Sequence, residues 1–331
     1  VCAGIDENGL GPRLGPLVVT GVVARARDEQ ALRVAESKPR RGLSARLGDS
    51  KALVGHGDTA LGEAWARAVA MRAGIPFGSP DELVHALAIE PREALRLRCP
   101  DGHVDQCWGA RGEQFVAEDK LVTAVAKDLD KLEKAGVEVV RADLSVVCTE
   151  RINDAVARGL SRFHVDLHAM ERLALTFVRR HGEARVTCGK VGGFDRYGPA
   201  FGPLAGHLHT VLEEGRARSA YRVLGVGEIA FVRDADASHL LVCMASLIGK
   251  WVRDLLMGRV VRYYRASDPE LPIASGYHDP VTARFVKATA LVRATRGVPT
   301  VCFERTRISL DAEAPAEASA ASASPTPNAA P

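Results

Sequence analysis

The sequence predicts an α/β fold, a central mixed β-sheet flanked by helices. Three observations carry this. Short β-branched runs recur along the chain, at 1–5, 17–23, 137–141, 184–188 and 228–232. Longer segments with apolar residues at helical spacing lie among them, at 59–73, 121–132, 167–180 and 240–256. The first two runs are joined by a Gly/Pro-rich turn, which predicts a hairpin opening a sheet otherwise built through helical connections.

The composition agrees. The chain has 331 residues, 47% hydrophobic and 26% charged. These values exclude a collagen, a wholly disordered chain and a bundle of membrane spans. The length allows one large or two ordinary domains, with a sizeable core.

Taken in order, the strand at 1–5 runs into Asp6-Glu7 and a turn with glycines at 9, 11 and 15 and prolines at 12 and 16. The second strand lies within the apolar stretch 14–24, which is shorter than the ~20 residues a membrane helix needs. No basic region precedes it, so it does not read as a signal peptide. The helix at 59–73 is stopped by Gly74-Ile-Pro76. Residues 96–112, opening Arg-Leu-Arg-Cys-Pro-Asp-Gly-His, read as irregular. The helix at 121–132 carries Leu121, Val122, Val125, Leu129 and Leu132 on one stripe. The strands at 137–141 and 184–188 bracket the helix at 167–180, and Gly192-Gly193 turns the chain after the second. A strand at 228–232 precedes a helix at 240–256 with Leu241, Met244, Ala245, Ile248, Val252 and Leu255 on one side. Residues 311–331 hold almost only Ala, Ser, Pro and Glu and are expected to be a disordered tail, leaving 1–310 as the domain.

The densest chemistry is Gly4-Ile-Asp-Glu-Asn-Gly-Leu-Gly-Pro-Arg-Leu-Gly-Pro16. Adjacent strand residues point to opposite faces, so Asp6 and Glu7 meet one site only at a strand end where the chain bends. The glycines permit that bend and close approach by a ligand. A polar turn and a carboxylate metal site both fit. A dinucleotide fingerprint does not, because Pro12 interrupts and the glycine spacing is wrong.

This motif resembles the opening of the type 2 ribonucleases H (ribonuclease HII). Later segments match in the same order. Leu47-Gly-Asp-Ser-Lys51 resembles the family's Asp-Ser-Lys segment, and Glu150-Arg-Ile-Asn153 with His168-Ala-Met170 its helical region. Asp236, before Ala245-Ser-Leu-Ile-Gly-Lys250 and Arg253, resembles its fourth carboxylate and the following helix. Gly276-Tyr277 resembles the segment that reads the RNA–DNA junction. The likeness spans roughly residues 3–286, with insertions around 75–115 and 189–228.

The resemblance implies a ribonuclease H-like fold and endonucleolytic hydrolysis of RNA in RNA–DNA hybrids, or at ribonucleotides embedded in DNA. It implies Mg²⁺ or Mn²⁺ held by Asp6, Glu7 and Asp236, which would be the catalytic residues. Substrate contacts fall on Gly9, Leu10, Gly11, Arg13, Lys51, Ser246, Lys250, Arg253 and Tyr277. Leu10 stands where the main family has arginine, and Arg13 is the candidate replacement. The family's third carboxylate falls at Gly189, which has no side chain to offer. Asp195 and Asp143 are the candidate substitutes; without one, the expectation shifts to a catalytically impaired protein that binds hybrid duplexes. The expected partner is an RNA–DNA hybrid or a DNA duplex containing ribonucleotides, bound by a cytoplasmic monomer with no membrane association.

Other patterns are weighed beside these. Seven scattered cysteines read as reduced, buried thiols. Cys99-x3-His103-x3-Cys107, with Cys148 as a fourth member, invites zinc, but the spacing is not that of a zinc knuckle or finger. Arg259, Arg262 and Arg265, interleaved with Tyr263 and Tyr264, suit either a nucleic-acid backbone or a solvated helix end. His207-x-His209 reads as structural, His278 as a further possible substrate contact, and Ser246 near His239 as no triad. The net charge of +3 looks too even for a nucleic-acid binder, but the tail carries three acids and no cation, so residues 1–310 hold +6.

Overall fold

The computed structural model describes residues 1–40, 42–49, 53–54, 57–100 and 102–306. Lys51 and the 311–331 tail lie outside the described residues. Among the described residues, seven strands form one mixed sheet in the order β3-β2-β1-β4-β7-β6-β5. β1 (Cys2–Asn8) and β2 (Leu17–Ala26) form the predicted hairpin, in a register that sets Ile5 opposite Gly21 and Asp6 opposite Thr20. β3 (Val137–Val147) continues the antiparallel side and is twice the length its sequence signal indicated. Its later residues, Arg141 to Val146, alternate polar and apolar, but the polar members Asp143 and Ser145 are buried as well. β4 (Ala184–Gly189) lies parallel to β1, and β7 (Gly227–Val232) parallel to β4.

The 189–228 region, expected as a loop insertion, contributes β5 (His209–Glu214) and β6 (Arg218–Val223), which extend the sheet as an antiparallel hairpin. β5 is exposed along its length, as a sheet edge is.

Helices cover both faces. After β2 come α1 (Glu29–Ala35), α2 (Ala60–Arg72), α3 (Pro80–Leu87), α4 (Arg92–Arg96), α5 (Val104–Trp108) and α6 (Asp119–Lys134). The 75–115 insertion therefore carries three short helices among its described residues. After β3 come α7 (Thr149–Ala157) and α8 (Arg162–His181), and after β7 the short α9 (Ala235–Ser238) and the long α10 (Leu240–Arg265). The chain closes with α11 (Pro280–Ala288), α12 (Ala290–Thr295) and α13 (Thr300–Phe303). α10 is apolar nearly all round, because it lies over β1 and β2 and is itself covered by α2 and α5. Gly4 lets it approach: a Cβ there would meet the Leu241 backbone at 2.4 Å. α8 fills the other face with Leu167, Met170, Leu173 and Phe177. No described helix is long and apolar enough to cross a membrane.

Of the Arg259–Arg265 run, Arg259 serves this packing, while Arg262 stays exposed at the surface. Arg259 is fully buried and donates to both oxygens of Glu113, at 2.8 and 2.7 Å, with Asp81 at 3.1 Å. Arg262 also pairs with Glu113, and Arg265 donates to Pro269 O at 3.0 Å. The insertion supplies the acids that pair with Arg259 and Arg262.

Candidate active site

β1, β4 and β7 are parallel neighbours, so their carboxyl ends open at one edge of the sheet. Open α/β sheets place ligand sites at such an edge. An open cleft of about 470 Å³ lies there. Its wall takes Asp6 to Gly11 from the end of β1, Gly189, Lys190 and Gly192 from the end of β4, Arg233 to Asp236 from the end of β7, Ser246 from α10, and Tyr277. Asp6, Glu7, Gly9, Leu10, Gly11, Ser246, Tyr277 and Asp236, named from the sequence, thus share one cleft with Gly189.

Strand alternation explains the arrangement of the acidic pair. Ala3 and Ile5 face α8, so Asp6 turns with Gly4 toward α10. Asp6 is only 6% exposed and is hydrogen-bonded to Ser246. Burial raises its carboxyl well above the usual range, and Glu7 and Asp236 push the same way. Gly189 stands against this carboxylate: a Cβ there would fall 2.6 Å from Asp6 Oδ1 and 3.6 Å from Glu7 Oε2. The position expected to hold a third carboxylate therefore faces the pair, and its space is taken up by Asp6.

The glycine turn is built for close approach. Gly9 has φ of 94°, the left-handed region glycine tolerates, and a Cβ on it would meet Pro16 O at 3.0 Å and Arg253 Nε at 3.1 Å. One buried side chain that the sequence reading missed anchors the turn. Arg305, 2% exposed, donates to Gly9 O at 2.7 Å, Leu10 O at 3.0 Å and, through Nε and Nη2, to Gly15 O at 3.0 and 2.8 Å. Burial lowers its guanidinium to about 9, with Arg162 and Arg253 adding to the effect. Arg305 lies beyond the resembling region, next to a polar tail, and no local signal marks it.

Several predicted substrate contacts are engaged elsewhere. Arg13 donates to Glu304 at 2.6 Å, which fastens the turn to the C-terminal segment. Lys250 pairs with Asp254 at 3.0 Å. Arg253 is buried, donates to Asp254 at 3.1 Å and Ser275 O at 2.9 Å, and lies 4.5 Å from the ring centroid of Tyr277. It supports Gly9 and Tyr277 from beneath and does not reach into the cleft as a phosphate ligand would. Tyr277, 46% exposed, keeps an open ring face on the cleft wall.

Neither substitute carboxylate reaches the cleft. Asp143, in β3, is fully buried between Arg141 and Arg180, each at 2.7 Å. Two strands separate it from β4. Asp195 is held by Lys190 at 2.8 Å. Two other acids, not singled out from the sequence, stand closer. Asp234 lines the cleft with φ of 53°, the left-handed conformation that Asp adopts more readily than most residues. Asp166, on α8, is fully buried, and neither carboxylate oxygen has a hydrogen-bond partner. Burial first and then Asp6 raise it well above the carboxylate range. Its signal was an acid within the apolar stripe Phe163, Val165, Leu167, Met170.

The donors around Asp6 are all oxygens, which fits a hard divalent cation. Among the described residues, no group of three or more His, Cys, Asp or Glu side chains is spaced to hold an ion. Mg²⁺ commonly takes one or two carboxylates and completes its shell with water and substrate phosphate, so Asp6 with Glu7 or Asp236 meets that need.

No family model matches the chain, and no curated protein matches it. Among solved structures it is similar to RNase HII from Archaeoglobus fulgidus, from a complex with PCNA, at 17% identity and TM-score 0.43, over 94% of this chain and 99% of that one. Ribonuclease H2 from Pyrococcus horikoshii matches at 17% identity and TM-score 0.43, over 91% of each chain. RNase H3 from Aquifex aeolicus matches at 14% identity and TM-score 0.41, over 92% of this chain and 71% of that one.

Proposed function

We propose that this chain is a metal-dependent endonuclease acting on the RNA of RNA–DNA hybrids, or on ribonucleotides embedded in DNA. The observation that carries the reading is the meeting of Asp6, Glu7 and Asp236 with the Gly9–Gly11 backbone and an exposed Tyr277 in one cleft.

Asp6, Glu7 and Asp236 would hold Mg²⁺ or Mn²⁺. When bound, such an ion neutralises phosphate charge and activates water for attack on phosphorus. The chain's own groups do the rest. Ser246 fixes the Asp6 carboxylate, and Arg305 holds the glycine turn, so that its backbone is presented to the ribose. The 2′-OH separates RNA from DNA, and a backbone approached through glycine can read it without a side chain in the way. Tyr277 offers a ring for stacking at the junction. Arg233, 65% exposed on the cleft wall, supplies positive charge for the phosphate backbone.

Gly189 favours a second reading, a catalytically impaired protein that binds hybrid duplexes. Losing one ligand position from a phosphodiester site weakens both metal binding and the positioning of the reacting groups. A duplex carrying a single ribonucleotide, incubated with Mn²⁺ or Mg²⁺, separates the two. Cleavage that Asp6→Asn abolishes supports the enzyme. Salt-sensitive binding without cleavage supports the second reading, and neither binding nor cleavage refutes both.

A further inference from the structure

One face of α10 meets the cleft twice. Ser246 and Arg253 are seven residues apart, two helical turns, so they point the same way about 10 Å apart along the axis. Ser246 is hydrogen-bonded to Asp6. Arg253 lies between the two turns that flank the cleft. On one side is Gly9, where an added Cβ would meet its Nε at 3.1 Å and its Cγ at 3.4 Å. On the other is Tyr277, whose ring centroid is 4.5 Å from the guanidinium carbon. The two turns are also tied directly, because Gly276 O accepts from Arg13 N–H at 2.8 Å and from Leu14 N–H at 3.0 Å.

Hydrogen bonding alone does not account for this placement. Arg253 is 3% exposed, and its Nε is buried without a partner. Asp254, with which it pairs at 3.1 Å, is paired at the same time with Lys250 at 3.0 Å. Its Nη2 donates to Ser275 O at 2.9 Å. Ser275 Oγ in turn accepts from the Tyr277 N–H at 3.1 Å and donates to Asp279 at 2.6 Å. The guanidinium therefore holds the turn that carries the tyrosine as well as the ring itself. A half-exposed ring on a short turn changes rotamer within nanoseconds. A planar cation packed on one face restrains it and leaves the other face to the cleft.

We propose that Arg253 is the positioning residue that sets the Tyr277 ring against the glycine turn, and that it thereby gives the protein a preference for a ribonucleotide followed by a deoxyribonucleotide over an uninterrupted RNA–DNA hybrid. The inference rests on the reading of the cleft proposed above. The Gly9–Gly11 backbone takes the sugar that carries the 2′-OH, and the ring packs on the sugar that follows. A ring held in place discriminates between sugars there, because a hydroxyl pressed against an apolar face without a partner is costly. A loose ring moves aside and does not. The preference thus depends on the separation of turn and ring, which Arg253 spans. Because Ser246 belongs to the same rigid helix, α10 also fixes how far both lie from Asp6. Arg253 acts through Tyr277 and does not itself touch the substrate.

The test uses the full chain and two duplexes of one sequence, one with a single ribonucleotide in DNA and one with a continuous RNA strand. Binding is read by fluorescence anisotropy with Ca²⁺, and cleavage with Mn²⁺, so the ratio between the duplexes is measured with or without catalysis. Arg253→Met should reduce the preference for the single ribonucleotide roughly 3- to 30-fold, the range a cation–π contact spans. Arg253→Lys should fall with it, because lysine keeps the charge beside Asp254 but has no planar fork to lie against the ring. Arg253→Lys also carries the test where Arg253→Met does not fold. Tyr277→Ala should lose the preference, and adding Arg253→Lys to it should change the ratio no further, since residues that act through one contact are not additive. An arginine with only a structural role would weaken both duplexes alike and leave the ratio as it was. A parent that prefers the single ribonucleotide, with that preference intact in folded Arg253→Lys, overturns the inference and leaves the proposed function standing. So does a further loss of preference in the double variant. A parent without the preference refutes the junction role of Tyr277 and this inference with it, whereas cleavage by that parent keeps the nuclease reading.

Discussion

Gly189 is the position at which a single substitution says most about the cleft. A Cβ placed there lies 2.6 Å from Asp6 Oδ1, closer than real Cβ contacts allow. The Asp6 carboxylate must then shift within its buried site, and overpacking of this kind costs about 1–3 kcal/mol. Gly189→Ala carries that cost alone. Gly189→Asp adds a charge beside Asp6 and Glu7; at ~4 Å and an effective dielectric near 20, two like charges repel by about 4 kcal/mol. Protonation relieves part of this in the metal-free protein. A divalent ion present at a hundred times its Kd returns about 2.7 kcal/mol. Urea unfolding with and without Mn²⁺, beside cleavage of a single-ribonucleotide duplex, reads all of these terms. Gly189→Ala should be destabilised by about 1–3 kcal/mol and gain no more from Mn²⁺ than the parent. Gly189→Asp should be the least stable without metal, gain the most from it, and cleave faster than both. If Gly189→Asp gains no more from Mn²⁺ than the parent, or cleaves no faster than Gly189→Ala, the reasoning that places a ligand position there is wrong.

Four further outcomes are expected. Asp6→Asn should abolish cleavage and raise metal-free stability by about 1 kcal/mol, because a raised carboxyl beside Glu7 and Asp236 becomes neutral; denaturant titration and the cleavage assay check it. Arg305→Ala leaves buried carbonyls of Gly9 and Gly15 without their donor and should cost about 1–3 kcal/mol, with substrate KM rising more than kcat falls. Arg259→Met strips Asp81 and Glu113 of a buried partner and should cost about 3–5 kcal/mol, while the salt dependence of hybrid binding stays unchanged; a shallower salt slope would return Arg259 to the nucleic-acid interface. His239, buried with both ring nitrogens unpartnered, is lowered by burial to about 4. Its neutral form favours the fold, so stability present above pH ~6.5 should fall by up to about 3 kcal/mol as pH drops toward 4, and His239→Leu should flatten that slope.

Legibility in the sequence followed the range of the interactions. The hairpin, the parallel strands and α10 were marked by local runs of β-branched and apolar residues, which are a property of neighbouring positions. β5 and β6 were not, because an exposed edge hairpin needs no buried alternating face. The acidic pair was legible because the strand, its carboxylates and the bending glycines are contiguous. The partners of Arg13, Lys250 and Arg253 were not legible, for the opposite reason. A cation's role depends on which carboxylate or carbonyl lies across from it, and Glu304, Asp254 and Ser275 are brought there by other parts of the chain.

By itself, then, the sequence determined the α/β class, the acidic strand end, the glycine turn and the lack of a side chain at 189, all carried by residue type and short-range spacing. Only the tertiary structure decided which groups share a space. It set Gly189 against Asp6, buried Asp166 beneath the site, closed Asp143 and Asp195 off with their own cations, and clamped the glycine turn with Arg305. It also brought three cysteines from three segments, Cys107, Cys148 and Cys302, to one small cavity. The physical reason is common to all of these. Burial, ion pairing and ligand geometry depend on distances across the folded chain, and those distances leave no periodic mark along it.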